Sequence, residues 1–370
     1  MLVVILTETA PDERRVAATP ETVKKLITLG QRVRIQKGAG KNAGFLDSAY
    51  QDAGAELSDT PATGDADIIL HVQPPATSMP YKKGAVVLGL LSPFDRKDDL
   101  KQWAGAGINT VALELLPRIT RAQSMDVLSS QANLAGYRAV IESGAAFGRA
   151  FPMLMTAAGT IPPARVLVLG AGVAGLQAIA TAKRLGAIVT AFDVRQATKE
   201  QVQSLGATFL DIEGSENLET SGGYAKEVSA DTLARQQAKI RETLLKTDIV
   251  ITTAAIPGKP SPRLITEDML TALKPGSVIA DLAAERGGNC AATKPGEVIV
   301  TSGGVTILGH RNWASRIPFD ASALYARNIL HFFTAFFNKE SGTLNLDKAD
   351  PIIAGALLTQ DGAVVHPHFV

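Results

Sequence analysis

The stretch RVLVLGAGVAGLQAIATAKRLGAIVTAFD, Arg165 to Asp193, restricts the folds open to this chain more than any other segment of it. An apolar, partly β-branched run, Val166 to Leu169, meets Gly170-Ala171-Gly172-Val173-Ala174-Gly175. Leu176, Ile179, Ala182 and Leu185 then recur at helical spacing, and a second apolar run closes on Asp193. The order is strand, tight turn, helix, strand. Gly170 can take the backbone angles of a sharp turn, Gly172 lets the main chain approach a pyrophosphate, and Gly175 lets the helix pack closely on its strand. Phosphates fit at the helix N-terminus, where free N–H groups and the dipole favour negative charge. Asp193 lies 18 residues beyond Gly175, where a carboxylate accepts hydrogen bonds from the adenine ribose hydroxyls. It also repels a 2′-phosphate, so NAD is expected in preference to NADP. Arg195 argues the other way, because an arginine there accommodates a 2′-phosphate, and the acid is given more weight.

With 370 residues the chain can build two domains, each with a substantial core. A net charge of +1 with 46% hydrophobic residues provides no general pull toward nucleic acid or anionic lipid. A single cysteine, Cys290, excludes an internal disulfide and fits a reducing compartment. The start, MLVVILTETAPDERR, has no basic segment ahead of its short apolar run and reads as a first strand, not a signal peptide. The longest uncharged stretch, Val166 to Ala182, is shorter than the ~20 residues that span a bilayer. No membrane span is therefore expected. His71, His310, His331, His366 and His368 are scattered, and no metal site is expected.

Along the chain, apolar runs alternate with helical patterns. Strands are expected at Val3 to Leu6, Arg32 to Ile35, Asp67 to Val72, Ala85 to Leu90 and Asn109 to Glu114. Helices are expected at Glu21 to Leu29, Leu46 to Gly54 and Arg96 to Ala106. The first carries an N-cap at Thr19, a first-position Pro20 and a stop at Gly30. After the glycine turn come helices at Thr198 to Leu205, Leu233 to Lys246 and Thr266 to Leu273. Strands follow the same order at Thr208 to Leu210, Asp248 to Thr253, Ser277 to Leu282, Val298 to Val300 and Val305 to Gly309. Long helices are expected at Val127 to Phe151 and Ala321 to Phe337. The implied fold is α/β, with two doubly wound Rossmann-like domains built on parallel sheets. The nucleotide domain, 129–309, is inserted in the other, 1–128 plus 310–370, and the long helices join them.

Two polar segments stand out. Arg118 to Asp126, RITRAQSMD, precedes the first long helix, and two readings stay open: a loop over an interdomain cleft where a nicotinamide would end, or a solvated turn with local ion pairs. Asp211 to Glu227, with Gly222-Gly223-Tyr224 inside it, is too long for a routine connection. It reads as a loop that closes over nucleotide or as an idle excursion.

Several stretches together resemble the NAD(H)-binding domain of proton-translocating NAD(P) transhydrogenase, in the form of a separate alpha subunit. They are ERRVAATPE, RITRAQSMDVLSSQANLAGYRAV, PPARVLVLGAGVAGLQAIATAKRLGA, KEQVQSLGA, SGGYAKE, TDIVITTAAIPGKP and DGAVVHP, and they extend over nearly the whole chain. The resemblance implies that Arg118, Gln123 and Asp126, with Ile119 and Thr120 of the same loop, hold the nicotinamide end, and that an Arg118–Asp126 ion pair shapes that loop. Ser129 would face the carboxamide. Gly170 and Gly175 would shape the turn, with Ala171, Gly172 and Val173 on the pyrophosphate. Asp193, Val194 and Arg195 would meet the adenosine ribose, and Gly223, Gln236 and Ala255 the adenine side. Tyr224 would tip the mobile loop. The implied partners are an NADP(H)-binding domain and membrane-spanning subunits. A homodimer on the cytoplasmic face of the cell membrane is also implied.

The alternative within the same fold is an alanine dehydrogenase-like oxidoreductase, whose carboxylate-binding arginine Arg15 matches. The rest of that enzyme's chemistry is missing. Gln73 stands where its lysine is expected, Glu285 where its aspartate is, and no histidine lies between His71 and His310. Oxidative deamination needs a group that takes protons near neutral pH. Direct hydride transfer between nicotinamides needs none. A non-catalytic NAD-binding module is the remaining alternative.

Overall fold

A computed structural model describes residues 1–212, 230–256 and 258–370. The chain divides into two compact units, residues 1–131 with 314–370, and residues 132–313.

The first unit opens with β1 (Leu2–Ile5), α1 (Pro20–Thr28), β2 (Arg32–Gln36), α2 (Asp47–Asp52), β3 (Glu56–Ser58), β4 (Ile68–Leu70), β5 (Val86–Gly89), α3 (Lys97–Gly105), β6 (Asn109–Ala112) and the start of α4 (Val127–Ala146). The second contains a hairpin, β7 (Leu154–Thr156) and β8 (Gly159–Ile161), then β9 (Arg165–Leu169), α5 (Val173–Arg184), β10 (Ile188–Phe192), α6 (Thr198–Ser204), β11 (Thr208–Phe209), α7 (Ala230–Leu244), β12 (Ile249–Thr252), α8 (Glu267–Leu270), β13 (Val278–Asp281), β14 (Val298–Val300) and β15 (Thr306–Leu308). The chain leaves it at the single turn Trp313–Arg316 and completes the first unit with α9 (Pro318–Phe336), β16 (Phe337–Asn338), β17 (Thr343–Leu344), α10 (Pro351–Ala356), β18 (Leu357–Gln360) and β19 (Ala363–Val364).

The first unit's sheet has the order β19-β18-β6-β5-β4-β1-β2-β3, parallel from β6 to β3 and antiparallel where β18 joins. Thr19 and Thr22 cap α1 reciprocally, side chain to backbone in both directions, and Gly30 follows its end at φ +82°. Thr22, Val23 and Leu26 form its buried face.

The second unit's sheet runs β11-β10-β9-β12-β13-β15-β14, with only β14 antiparallel. Its central strands are apolar on both faces, as a sheet covered by helices on each side requires. Val166 and Val168 enter one core layer, and Leu167 and Leu169 the other. The period-2 side-chain direction of a strand produces that split. The chain steps from β9 to β10 on one side, then crosses back to β12 on the other, so β9 and β12 flank the point where strand order reverses. In open α/β sheets ligands bind outside the carboxyl ends of the strands at this point.

Within this unit α4 and α5 touch through their main chains. A Cβ built on Gly136 would lie 2.0 Å from the Ala174 carbonyl oxygen. Gly136→Ala is therefore expected to lower the unfolding free energy by about 2 kcal/mol or more, although alanine is the better helix former by about 1 kcal/mol. Urea unfolding of the variant checks this, and equal or greater stability would contradict the backbone contact.

Candidate functional site

The glycine turn occupies the carboxyl end of β9. Gly170 has φ +105°, and a Cβ on it would stand 2.5 Å from the Thr253 hydroxyl. A Cβ on Gly175 would overlap the Gly170 carbonyl oxygen at 1.8 Å. Neither position tolerates a side chain. Gly172 differs, because among the described residues a Cβ there would meet only Arg195 Nη2, at 3.9 Å. It is the N-cap of α5, has extended backbone and offers no side-chain cap. Among the described residues nothing crowds the helix N-terminus, whose first-turn N–H groups can then receive an anion.

Asp193, at the end of β10, holds two elements of this turn. Its Oδ2 accepts from the Ala171 N–H at 2.7 Å and from Arg195 Nη2 at 2.8 Å. Its Oδ1 accepts from the Arg195 backbone N–H and from Nε, both at 2.9 Å. Ala171 is buried beneath the turn, while Val173 is exposed at the helix start and Val194 is half-buried. The Asp193–Arg195 pair binds together the two residues that pull cofactor choice in opposite directions, with the guanidinium charge answered by the acid. Thr253, beyond the end of β12, donates its hydroxyl to the Gly170 carbonyl at 3.0 Å and so braces the turn from the side. Sequence reasoning missed this residue, and a hydroxyl one position past a buried parallel strand next to the fingerprint strand was the available signal.

Gln236 on α7 is 2% exposed, and its Nε2 has no hydrogen-bond partner among the described residues. Such a buried donor is left to be satisfied by water or by a ligand atom. Ala255 is exposed, two residues beyond Thr253. Gly223 and Tyr224 lie outside the described residues.

In the first unit, Thr120–Met125 form a 3-10 helix ahead of α4. Ala122 and Met125 anchor it in the core, while Arg118, Ile119, Thr120 and Gln123 are exposed. Asn328 Nδ2 donates to the Ser124 carbonyl at 2.8 Å, and Arg121 pairs with Asp350. The loop is therefore held from α9 and from the first residue before α10. Asp126 caps α4: its Oδ1 accepts from the Ser129 N–H at 2.9 Å and its Oδ2 from the Ser129 hydroxyl at 2.6 Å. The Ser129 proton is committed to Asp126, which leaves the oxygen lone pairs to accept from a ligand.

Arg15, also in the first unit, is buried. Its Nε and Nη2 donate to Glu13 at 2.8 and 2.6 Å, and its Nη1 to Gln131 at 2.8 Å. Gln73 Nε2 donates to the same Glu13 carboxylate at 2.9 Å. Burial opposes ionisation of Glu13, yet the Arg15 charge and these hydrogen bonds outweigh it and hold its pKa down at about 2. The arginine that would grip an amino-acid carboxylate is engaged at three nitrogens by this chain's own side chains. Glu285 is exposed and accepts from the Asn312 N–H at 3.0 Å. His310 lies against Glu142, Nε2 to Oε2 2.9 Å.

Family models described as alanine dehydrogenase/PNT, N-terminal domain and C-terminal domain, match residues 4–135 and 139–367. The first portion of the NAD(P) transhydrogenase subunit alpha of Rhodospirillum rubrum is 51% identical over 99% of this chain and 98% of its own length. The crystal structure of transhydrogenase from Sinorhizobium meliloti superposes with a TM-score of 0.87 at 47% identity, covering all of both chains. The alanine dehydrogenase of Bacillus subtilis is more distant, 29% identical over 78% of this chain and 72% of its own. The chain belongs to the alanine dehydrogenase/PNT family and, within it, to the NAD(P) transhydrogenase alpha subunits.

Proposed function

We propose that this chain binds NAD(H) on its second unit and presents the nicotinamide to NADP(H) carried by a separate domain, so that hydride passes directly between the two rings. The observation that carries this is the bare main chain at the turn: Gly172 uncrowded among the described residues, with Gly170 and Gly175 unable to hold a side chain. Bound NAD(H) supplies the redox chemistry, and the chain supplies position and electrostatics. Ala171, Gly172 and Val173 would hold the pyrophosphate at the start of α5. Asp193 would accept from the ribose hydroxyls while keeping the Arg195 charge engaged, which disfavours a 2′-phosphate, and Val194 would lie alongside. Gln236 would give to the adenine side, near Ala255, the N–H that no described residue engages, with Gly223 and Tyr224 completing that end.

At the nicotinamide end, Ser129 would accept from the carboxamide N–H, with its own proton on Asp126. Gln123 would bond the ribose, and Arg118, Ile119 and Thr120 would frame the ring. Direct transfer requires two rings held roughly 3 to 3.5 Å apart in a water-poor site, and no protein acid or base. Among the described residues no helix is long and apolar enough to cross a membrane. Proton translocation is accordingly assigned to membrane-spanning partner subunits, with this chain on the cytoplasmic face, peripheral through them. The working form is a two-fold dimer. The hairpin β7–β8 supports this, because all six of its residues are exposed, Met155 at 80%. A lone two-stranded hairpin is marginal in water, and an apolar one finds its stability against another surface.

Three outcomes are expected. The chain alone, given NAD+ and alanine at high pH, makes no NADH, whereas mixing it with an NADP(H)-binding domain supports reduction of an NAD analogue by NADPH. Silence at saturating partner counts against the proposal. Gln123→Asn slows hydride transfer roughly 10- to 100-fold while the NADH Kd stays within about 2-fold; parallel losses would make Gln123 a simple binding residue. Met155→Asp shifts light-scattering mass toward the monomer, and an unchanged dimer would remove the hairpin from the interface.

A further inference from the structure

The paired glycines after β13 bring one side chain to an unusual place. Gly287 and Gly288 have φ +93° and +81°, and a Cβ on Gly288 would stand 2.6 Å from Asp281 Oδ2. Asp281 is fully buried. Its Oδ1 accepts from the Thr252 hydroxyl and the Ala283 N–H, both at 3.0 Å, and its Oδ2 from the Cys290 N–H at 3.0 Å and the Thr293 hydroxyl at 2.7 Å. Those bonds fold the segment back against the sheet and leave Asn289, itself fully buried, pointing at the residue that leaves β12 beyond Thr253.

The Asn289 amide clasps one residue from both ends. Its Oδ1 accepts from the Ala254 N–H at 3.1 Å, and its Nδ2 donates to the Ala254 carbonyl at 2.9 Å. The same Nδ2 donates to the Pro262 carbonyl at 2.8 Å. Only a carboxamide both accepts and donates in this way. Its backbone carbonyl meanwhile accepts from the Leu264 and Ile265 N–H groups at 2.8 and 3.0 Å, so Ala254, Pro262, Leu264 and Ile265 are all tied to one residue. Ala254 is also close to the glycine turn, since a Cβ on Gly170 would lie 3.3 Å from its nitrogen. It therefore belongs to the wall of the crevice between β9 and β12.

We infer that Asn289 is a positioning residue for NAD(H): its amide fixes the backbone at Ala254 and Ala255, and its removal weakens nucleotide binding more than it weakens the fold. This rests on the glycine turn being the NAD(H) site. Burial without direct contact is the reason the residue acts through the Ala254 peptide and not on the cofactor itself. Two bonds to Ala254, with a third anchoring the same amide at Pro262, restrain that backbone in position and direction, and a ligand lying on it meets a surface already set.

The test uses the full-length chain, NADH fluorescence titration and urea unfolding, with Val250→Ala as a control that removes buried volume from β12 without touching the clasp. Asn289→Ala is expected to raise the NADH Kd roughly 10-fold or more, against less than about 2-fold for Val250→Ala. Asn289→Asp keeps the acceptor for Ala254 but turns negative charge on two carbonyls, and its Kd rises at least as far. Asn289→Ser, which puts a single short hydroxyl in place of the amide, gives an intermediate Kd and replaces Asn289→Ala if that variant fails to fold. In the reconstituted reaction KM for NADH rises while kcat at saturation stays within about 2-fold. Equal losses of affinity in Val250→Ala and the Asn289 variants, at comparable loss of stability, would reduce Asn289 to a structural role. No NADH binding by the unaltered chain would overturn the assignment of the turn itself, and this inference with it.

Discussion

Around the first turn of α5, three segments meet at close quarters, main chain on main chain except where the Thr253 hydroxyl reaches Gly170. Gly175 sits on the Gly170 carbonyl, Gly136 on the Ala174 carbonyl, and Gly170 against Thr253 and Ala254. Glycine costs conformational entropy wherever it is used in a helix, so these contacts are kept at a cost of about 1 kcal/mol each in helix propensity at Gly136 and Gly175. What they give is a helix N-terminus whose position is set by backbone on several sides. A positive end held that firmly can receive a diphosphate without reorganising.

The polar residues nearby extend the same rigidity outward. Asp193 ties Ala171 to Arg195, Thr253 ties Gly170 to the end of β12, and Asn289 ties Ala254 to the segment after β13. Each is a side chain bonding to backbone or to a charge partner, with few degrees of freedom left. In the first unit the pattern recurs, with Asp126 capping α4 through Ser129 and Asn328 holding the loop from α9. Arg15 and Glu13 satisfy each other in the interior. A subunit whose role is to orient one nicotinamide for another needs held geometry, not a titrating base near neutral pH.

The sequence made β9, α5 and β10 legible because three independent signals coincide there: β-branched runs, helical spacing and glycines at fixed offsets. Elsewhere one signal alone misled. The first long helix is expected to reach Phe151 but ends at Ala146, since Phe147 and Phe151 are buried by the second unit's core and not on a helix face. The hairpin β7–β8 went unread because its three-residue strands are exposed on both faces and so carry no alternation. The antiparallel addition β18, with β19 beyond it, pairs with a strand about 250 residues earlier, which no local pattern encodes. At the site, Asp193 is readable as an acid at the end of a strand, but its bond to Ala171 and its hold on Arg195 depend on how β10 sits beside the turn. Asn289 gave no signal, because its partners are main-chain atoms of residues far away in sequence.

If hydride moves straight from one ring to the other, no protein group and no water handles it on the way. Transhydrogenation with NADH carrying deuterium at the transferred C4 position, in ordinary water and with the partner domain present, follows that atom. The account predicts that the deuterium is recovered in the NADPH formed, and loss of the label to solvent would contradict it.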